Sequence, residues 1–230
     1  PTVYLRTPTS SDTRSRGELT GGGKANAAAV ASPVAGVKPP ARPERWSETV
    51  FDVIEWRRFE AVVERMFQQA GFVTRSQSHG ADGGVDVWLY THQHPRTPVG
   101  AVQCKHWQGK RIGVDKIREL KGVMAARGIE RGHFAATTTF TDDAIAFAQS
   151  ARVNLLDVTR LLDVIAKRTA QQQAELLAVA LEGDYWCPTC VNCGVKMIYR
   201  QRRSDGSPFW GCANYRTCKT PRIPMRVASK

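Results

Sequence analysis

The sequence predicts an α/β protein, in which helices flank a mixed β-sheet and a small cysteine-held module follows at the C-terminal end. Helical periodicity alternates with short β-rich segments between residues 45 and 183, which is typical of a layered α/β domain. Five of the six cysteines lie between residues 187 and 218. Residues 1–44 are rich in small residues and proline and show no apolar periodicity, so we expect a linker or tail there.

The first half of the predicted domain is a helix followed by three strands. Apolar residues recur at helical spacing from Phe59 to Ala70, and Gly71 ends the pattern. A glycine-rich turn separates the first two β-rich segments, so these strands are expected to form a hairpin-like pair. The three predicted strands are Phe72–Ser78, Val85–Thr91 and Val99–Trp107.

The second half alternates helices and strands, which predicts crossover connections and therefore a mixed sheet. A helix is predicted over Val114–Ala126 and a second helix after Thr141, whose hydroxyl suits an N-cap and is followed by two acids. A last helix begins near Thr159 and continues, with breaks, to Leu181. The strands between these helices are predicted at His133–Thr138 and Val153–Asp157.

Charge is concentrated at the C-terminal end. The formal net charge is +12, and residues 184–230 hold 9 Lys and Arg against 2 Asp and Glu, which makes +7. Such a basic segment favours a polyanionic partner, DNA before others, although a basic surface without a partner is the alternative. No apolar run is long enough to span a membrane, and no signal peptide is visible, so we expect a cytoplasmic protein. The sequence leaves a homodimer open.

Asp86 stands inside a predicted strand, where an unpaired carboxylate would be costly. Side chains alternate across a strand, so Val85 and Val87 should share one face and Asp86 the other. Gln103 and Lys105 project together from the next strand. If the two strands pair, a carboxylate, an amide oxygen and an ammonium group converge, as Mg²⁺-assisted phosphodiester hydrolysis requires. The alternative is that these are ordinary solvated strand residues.

Five motifs extend this hypothesis to a family: RRFEAVVERMFQQAGF, GADGGVDV, VQCKHW, GVDKIRELKGV and ATTTFTDDAIAFA. In this order, over about residues 55–166, they resemble the Mrr-type restriction endonuclease domain of the PD-(D/E)xK nuclease superfamily. The resemblance implies a restriction-endonuclease-like sheet flanked by helices and Mg²⁺-dependent DNA cleavage, often of modified DNA. It also implies that Asp86, Gln103 and Lys105 are catalytic, with Asp86 and Gln103 holding Mg²⁺. Gln103 replaces the acid that is usual in the wider superfamily, which leaves one negative charge fewer on the metal.

Glu60 matches the helix-borne glutamate of that family, which implies a catalytic role. It could equally be a solvent-facing partner of Glu64 or Arg57. Asp82, in the glycine-rich turn, is best explained as a turn residue, since Asp-Gly is a turn signal.

The cysteine spacing predicts a zinc site. Cys190 and Cys193 form one CxxC pair, and Cys212 and Cys218 follow, so four thiolates can hold Zn²⁺ tetrahedrally. A segment this short has too small a core to fold without the metal. Cys187 forms an overlapping CxxC and is the alternative ligand; we favour the later pair because a glycine follows Cys193.

The segments CGVKM, FWGC and ANYRTCK resemble the zinc ribbon at the C-terminus of bacterial type IA topoisomerases, which implies binding of single-stranded DNA. Aromatic residues interleaved with arginines suit base stacking and phosphate contact. Phe209 or Trp210 could instead fill the small core of the ribbon. The residues expected to contact nucleic acid are Arg200, Arg202, Arg203, Tyr215 and Arg216.

The sequence therefore predicts an Mrr-like Mg²⁺-dependent DNA endonuclease with a DNA-binding zinc ribbon. The alternatives are a non-cleaving DNA-binding or scaffold module on a nuclease fold, and a nuclease that processes repair intermediates. Because the predicted catalytic residues all precede residue 184, we expect the site to be complete without the ribbon. The predicted domains are a linker at 1–44, a nuclease domain at 45–168, a helical connector at 169–183 and a zinc ribbon at 184–230.

Overall fold

The structure is a computed structural model that describes residues 37–76, 84–107 and 109–225. Its centre is a five-stranded sheet in the order β1-β2-β3-β4-β5. Neighbouring strands are antiparallel from β1 to β3 and parallel from β3 to β5. The strands are β1 Val73–Ser76, β2 Val87–Tyr90, β3 Gly100–Lys105, β4 Arg131–Ala136 and β5 Val153–Leu156. The predicted fold class, a mixed sheet flanked by helices, is confirmed.

Helices cover both faces of this sheet. Four helices pack their buried residues in one apolar cluster on one face, and two pack in a second cluster on the other. The first group is α1 Glu48–Val53, α2 Trp56–Gln69, α5 Val158–Ala166 and α6 Ala170–Ala180, and the second is α3 Val114–Ala126 and α4 Asp142–Ala151. None of the helices in the described ranges combines the length and the apolar character needed to cross a bilayer.

The strand that follows the glycine-rich turn differs from the prediction. It begins at Val87 and not at Val85. Val85 packs in the cluster of α3 and α4 with Trp88, whereas Val87 packs in the opposite cluster, so the expectation that Val85 and Val87 share a face was wrong. Regular alternation fails because Gly84 has a positive φ of 86° and the chain enters the strand from a turn.

The C-terminal module is a three-stranded antiparallel sheet in the order β6-β7-β8 with the short helix α7 Tyr215–Cys218. Its strands are β6 Met197–Gln201, β7 Pro208–Cys212 and β8 Ile223–Pro224. Its small core contains three cysteines together with Met197 and Trp210. Such a core is too small to hold the module together without further cross-links.

The N-terminal part of the predicted linker, residues 1–36, lies outside the described residues, as do Asp82 and the predicted end of the first strand at 77–78. Residues 37–44 are described, and they contact the body of the protein. The hydroxyl of Tyr185 donates a hydrogen bond to the carbonyl oxygen of Pro40 at 3.3 Å. The guanidinium of Arg42 lies 5.7 Å from the centre of the Tyr185 ring. The last residues of the predicted linker are therefore packed against the domain.

Candidate functional site

Asp86 lies immediately before β2 and is held against β3. Its backbone N–H donates to the carbonyl oxygen of Val102 at 3.0 Å, and its Oδ2 accepts from the N–H of Cys104 at 2.7 Å. These two bonds fix the carboxylate beside Gln103, which lies between those two residues of β3. The pairing of the two strands that the site requires is therefore present.

Gln103 is almost completely buried, with 2% of its surface exposed. Its Nε2 lies 2.8 Å from the position that a Cβ at Gly84 would occupy, so any larger residue there would displace the amide. Its Oε1 is buried and has no hydrogen-bond partner among the described residues. Since a buried acceptor without a partner costs roughly 1–3 kcal/mol, this oxygen suits a ligand that the chain itself does not supply.

Glu60 lies on α2, close enough to the two strands for the charges of Asp86 and Lys105 to shift its pKa. Burial first and the charge of Asp86 second raise the pKa of Glu60 to about 8, while Arg57 and Lys105 oppose the shift. Glu64, the proposed alternative partner, instead accepts a hydrogen bond from the hydroxyl of Thr74 on β1 at 2.7 Å. Glu60 therefore shares an electrostatic environment with Asp86 and Lys105.

These side chains fit a divalent cation of the hard type. Asp86 supplies a carboxylate, Gln103 an amide oxygen without a partner among the described residues, and Glu60 a second carboxyl group within electrostatic range. Oxygen donors of this kind are what Mg²⁺ prefers. A cation here would also lower the cost of ionising Glu60 beside Asp86.

The raised pKa of Glu60 predicts a pH-dependent stability in Mg²⁺-free buffer. The folded chain holds the Glu60 proton more tightly than the unfolded chain does. The contribution of this proton to the stability of the fold is therefore complete below about pH 4.5 and is lost as the pH rises to about 8. The free energy of unfolding of the wild type should fall relative to that of Glu60→Gln, by roughly 1–3 kcal/mol between pH 5 and 8.5. Urea denaturation at both pH values measures this difference. If the free energies of unfolding of the wild type and Glu60→Gln change equally with pH, the pKa of Glu60 is not raised.

Four cysteines of the C-terminal module converge on one point. The sulfur atoms of Cys190, Cys193, Cys212 and Cys218 all lie within 4.8 Å of one another. Two of the separations are 3.6 Å, between Cys190 and Cys218, and 3.5 Å, between Cys193 and Cys212. A tetrahedral zinc site with Zn–S bonds of about 2.3 Å places its sulfur atoms about 3.8 Å apart. The donor set and its dimensions fit Zn²⁺.

Cys187, the alternative ligand, is not part of this group. It is buried, and its thiol donates to the carbonyl oxygen of Met197 at 3.1 Å. Burial raises the pKa of the Cys187 thiol to about 11, which keeps it protonated. The Cys187 sulfur lies outside the group of four and its thiol is already engaged as a donor, so Cys187 is not one of the cysteines that converge in the structure.

The basic residues expected to contact nucleic acid border two adjoining clefts, each of about 540 Å³. Arg200 borders both clefts, Arg202 and Arg203 border one, and Tyr215 and Arg216 border the other. Trp210 packs in the small core of the module, as the alternative proposed. Phe209 is also buried, but it borders both clefts and is not part of that core.

Arg222 also borders both clefts, 4.9 Å from the centre of the Phe209 ring. Sequence reasoning missed Arg222, although its place just before β8, in a basic segment, was a usable signal.

Glu55 joins the module to the sheet domain, which was not predicted. Its carboxylate accepts from the N–H of Arg57, which caps α2, and from the N–H and hydroxyl of Thr189 at 3.2 and 3.1 Å. The ammonium of Lys196 lies 3.2 Å from the same carboxylate. Glu55 is only 5% exposed, so these bonds satisfy a buried charge. The module is thus anchored about one turn before Glu60 on the same helix.

A family model described as a restriction endonuclease, Mrr_cat, matches residues 51–165, which is half of the chain. Over 137 residues the chain is 30% identical to the type IV methyl-directed restriction enzyme EcoKMrr of Escherichia coli K12, covering 56% of this chain and 44% of that protein. Over 99 residues it is 29% identical to the uncharacterized protein y4cE of Sinorhizobium fredii, covering 43% and 25%. The chain therefore spans less than half the length of these curated relatives.

Two solved structures are similar in part. One is the DNA modification-dependent restriction endonuclease AspBHI, with a TM-score of 0.45 at 18% identity, covering 64% of this chain and 45% of that chain. The other is the MspJI restriction endonuclease in complex with an oligonucleotide, with a TM-score of 0.42 at 20% identity, covering 65% and 35%.

Proposed function

We propose that this chain, which belongs to the Mrr_cat family of restriction endonucleases, hydrolyses phosphodiester bonds of DNA in a Mg²⁺-dependent reaction. The observation that carries the proposal is the arrangement at the β2–β3 junction. Asp86 is fixed against β3 beside the unpartnered oxygen of Gln103, within the part of the chain that the structure describes. Lys105 follows two residues later on the same strand, and its charge acts on Glu60.

Each residue has a proposed role at the phosphate. Asp86 and Gln103 hold Mg²⁺, with Glu60 as a further oxygen donor. When bound, the cation polarises the phosphate and makes water a stronger nucleophile. Lys105 stabilises the negative charge that develops on the phosphate oxygens, or orients the attacking water. Neutral Gln103 leaves the site with less negative charge than two carboxylates would, so less repulsion opposes an approaching phosphate.

The similarity to a methyl-directed enzyme supports the proposal that modified DNA is the substrate. The experiment compares one plasmid, unmethylated or treated with DNA methyltransferases of different specificity, in Mg²⁺. We expect cutting of at least one methylated form in preference to the unmethylated form. Equal cutting of every form would show that the enzyme does not prefer modified DNA, and would leave the proposed nuclease activity in place. No cutting of any form would contradict the function itself.

We propose that Cys190, Cys193, Cys212 and Cys218 hold one Zn²⁺, whose role is to stabilise the C-terminal module. The proposed task of the module is DNA binding through its two arginine-lined clefts. Residues 184–230 carry +7 of the net charge of +12, which supports a polyanionic partner. Exposed Tyr215 beside Arg216 favours unpaired bases, since aromatic rings stack on them. This favours, as the second candidate, a nuclease that processes DNA containing single-stranded segments.

Salt dependence tests the basic face of the module. Each phosphate contact contributes about 0.7–0.9 to the slope of log K against log salt. The triple variant Arg200→Gln, Arg202→Gln, Arg203→Gln should therefore flatten the slope by about 2–3. Filter binding across a salt series measures it. A matched triple at exposed Arg118, Arg127 and Arg131 of the sheet domain removes the same charge and should change the slope by less than about 1. Equal effects of the two triples would show that only net charge matters.

A further inference from the structure

A cleft of about 620 Å³ lies between the sheet domain and the cysteine module, and it belongs neither to the Asp86 site nor to the arginine-lined clefts. One wall comes from α1, α2 and the end of β3, and the other comes from the cysteine module. Its volume is within the range of about 300–1,000 Å³ found for ligand sites. Four tryptophans line it: Trp56, Trp107, Trp186 and Trp210.

The two walls are fixed relative to each other. The N–H of Glu55 donates to the carbonyl oxygen of Tyr185 at 2.7 Å, and the indole N–H of Trp56 donates to the carbonyl oxygen of Thr189 at 2.8 Å. Trp186 packs against both the apolar cluster of α1 and α2 and the small core of the module. The buried carboxylate of Glu55 adds its bonds to the module described above. The cleft is therefore a preformed feature of the fold.

The charges in the cleft favour a neutral aromatic ligand with a phosphate at its edge. Asp52 and Glu55 line the cleft, and their carboxylates disfavour an anion inside it. Lys110 lies at the same cleft and places its ammonium 5.6 Å from the centre of the Trp107 ring. A nucleobase can stack on tryptophan while its own phosphate meets a lysine, which is the usual combination in single-strand recognition.

The cleft adjoins the proposed catalytic residues along the chain. His106 and Trp107 directly follow Lys105 at the end of β3, and both line the cleft. Trp56 precedes Glu60 by four residues of α2, about 6 Å along the helix axis. A phosphate at Lys105 is therefore only one or two residues of chain, about 3–7 Å, from side chains that line the cleft, a spacing that a neighbouring nucleotide can span.

We infer that this cleft binds one unpaired nucleobase of the strand that is cut, next to the scissile phosphate, with Trp107 as the stacking surface. The inference rests on the proposed nuclease function. The unpaired base comes either from single-stranded DNA or from a duplex that extrudes one base. Both sources present the same chemistry, a planar base without its pairing partner.

Binding in Mg²⁺-free buffer tests this without any cleavage. The probes are a fluorescein-labelled oligothymidine and a labelled duplex of the same length. Trp107→Ala should weaken oligothymidine binding by about 5- to 100-fold, because one base loses its stacking surface. Trp107→Phe should stay within about threefold of the wild type, since a ring is retained. Phe147→Ala removes a partly buried ring of α4 that does not line the cleft, and it should leave binding unchanged.

The duplex probe distinguishes the two sources. An effect of Trp107→Ala on oligothymidine alone assigns the cleft to single strands, and an effect on both probes assigns it to an extruded base as well. Wild-type affinity of Trp107→Ala for both probes would overturn the inference. A chain that binds as expected yet never cuts would refute the nuclease proposal and leave the base site standing.

A second measurement needs no variant. Oligonucleotides carrying 5-iodouracil are photo-crosslinked to the wild-type protein, and the modified peptides are identified by mass spectrometry. We expect a crosslinked peptide that contains Trp107, Trp56 or Trp186. Crosslinks confined to the peptides of the arginine-lined clefts would overturn the inference, even if Trp107→Ala fails to fold.

Discussion

Lys105→Ala should reduce the single-turnover rate of DNA cleavage at least about a hundredfold, the usual loss when one group that stabilises a charged transition state is removed. Lys105 ends β3 and is only partly exposed, and its charge acts on Glu60. Because the module carries +7 of the net charge of +12, DNA affinity should fall by less than about threefold. Rates at saturating DNA, together with filter binding, separate the two effects.

Asp86→Asn should be as inactive as Lys105→Ala. The amide oxygen of asparagine can still accept the bond from the N–H of Cys104, so the β2–β3 junction is kept while the charge is lost. Gln103→Glu should remain active, because it introduces the acid usual in the wider superfamily. Lys167→Ala, at an exposed position after α5, is the matched control for lost charge and should cut normally. Wild-type rates for both Asp86→Asn and Lys105→Ala would place the active site elsewhere.

Zinc content is the second prediction with a large effect. The purified chain should contain one Zn²⁺, and Cys193→Ser or Cys212→Ser should lose it, because three thiolates hold the ion far less tightly than four. Cys187→Ser should retain the metal, since the Cys187 thiol already donates to Met197. Metal analysis by mass spectrometry, with far-UV circular dichroism as the folding control, measures this. If Cys187→Ser loses zinc and Cys193→Ser retains it, then Cys187 and Cys190, and not Cys190 and Cys193, are the first pair of zinc ligands.

Loss of zinc should also destabilise the sheet domain. Thr189, which binds Glu55 twice, directly precedes Cys190 in the first cysteine pair. A disordered pair would leave the Glu55 carboxylate without these donors at the start of α2. The zinc-free variants should therefore show a lower free energy of unfolding of the whole chain, by about 1–3 kcal/mol. An unchanged midpoint for the sheet domain would show that the two parts are energetically independent.

Much of the candidate site could be predicted from strand alternation and cysteine spacing. Both patterns depend only on residues close together in the sequence, so they can be recognised without knowing the fold. Along β3, Val102 and Cys104 pack in the cluster of α1 and α2, and the His106 ring bonds to the carbonyl oxygen of Phe51 on α1. These three residues therefore share one side, as the alternation that pairs Gln103 with Lys105 requires. The helix α3 begins and ends at the predicted residues because Gly113 and Gly128 bound a clear apolar pattern.

The features that could not be predicted depend on contacts distant in sequence or on irregular backbone. The helix α1 has six residues, too few for a periodic pattern to be recognised. Val85 changes face because a left-handed glycine precedes it, and alternation holds only in a regular strand. Glu55 reaches partners more than 130 residues away, and nothing in its local sequence indicates them.

The central claim is that the Asp86, Gln103 and Lys105 arrangement makes this chain a Mg²⁺-dependent DNA endonuclease. The most direct test incubates a supercoiled methylated plasmid with the wild type and with Lys105→Ala, purified identically, in Mg²⁺ and in Mg²⁺-free buffer. The account predicts nicked or linear DNA only with the wild type in Mg²⁺. Equal cutting by Lys105→Ala, or equal cutting without a divalent cation, would contradict it.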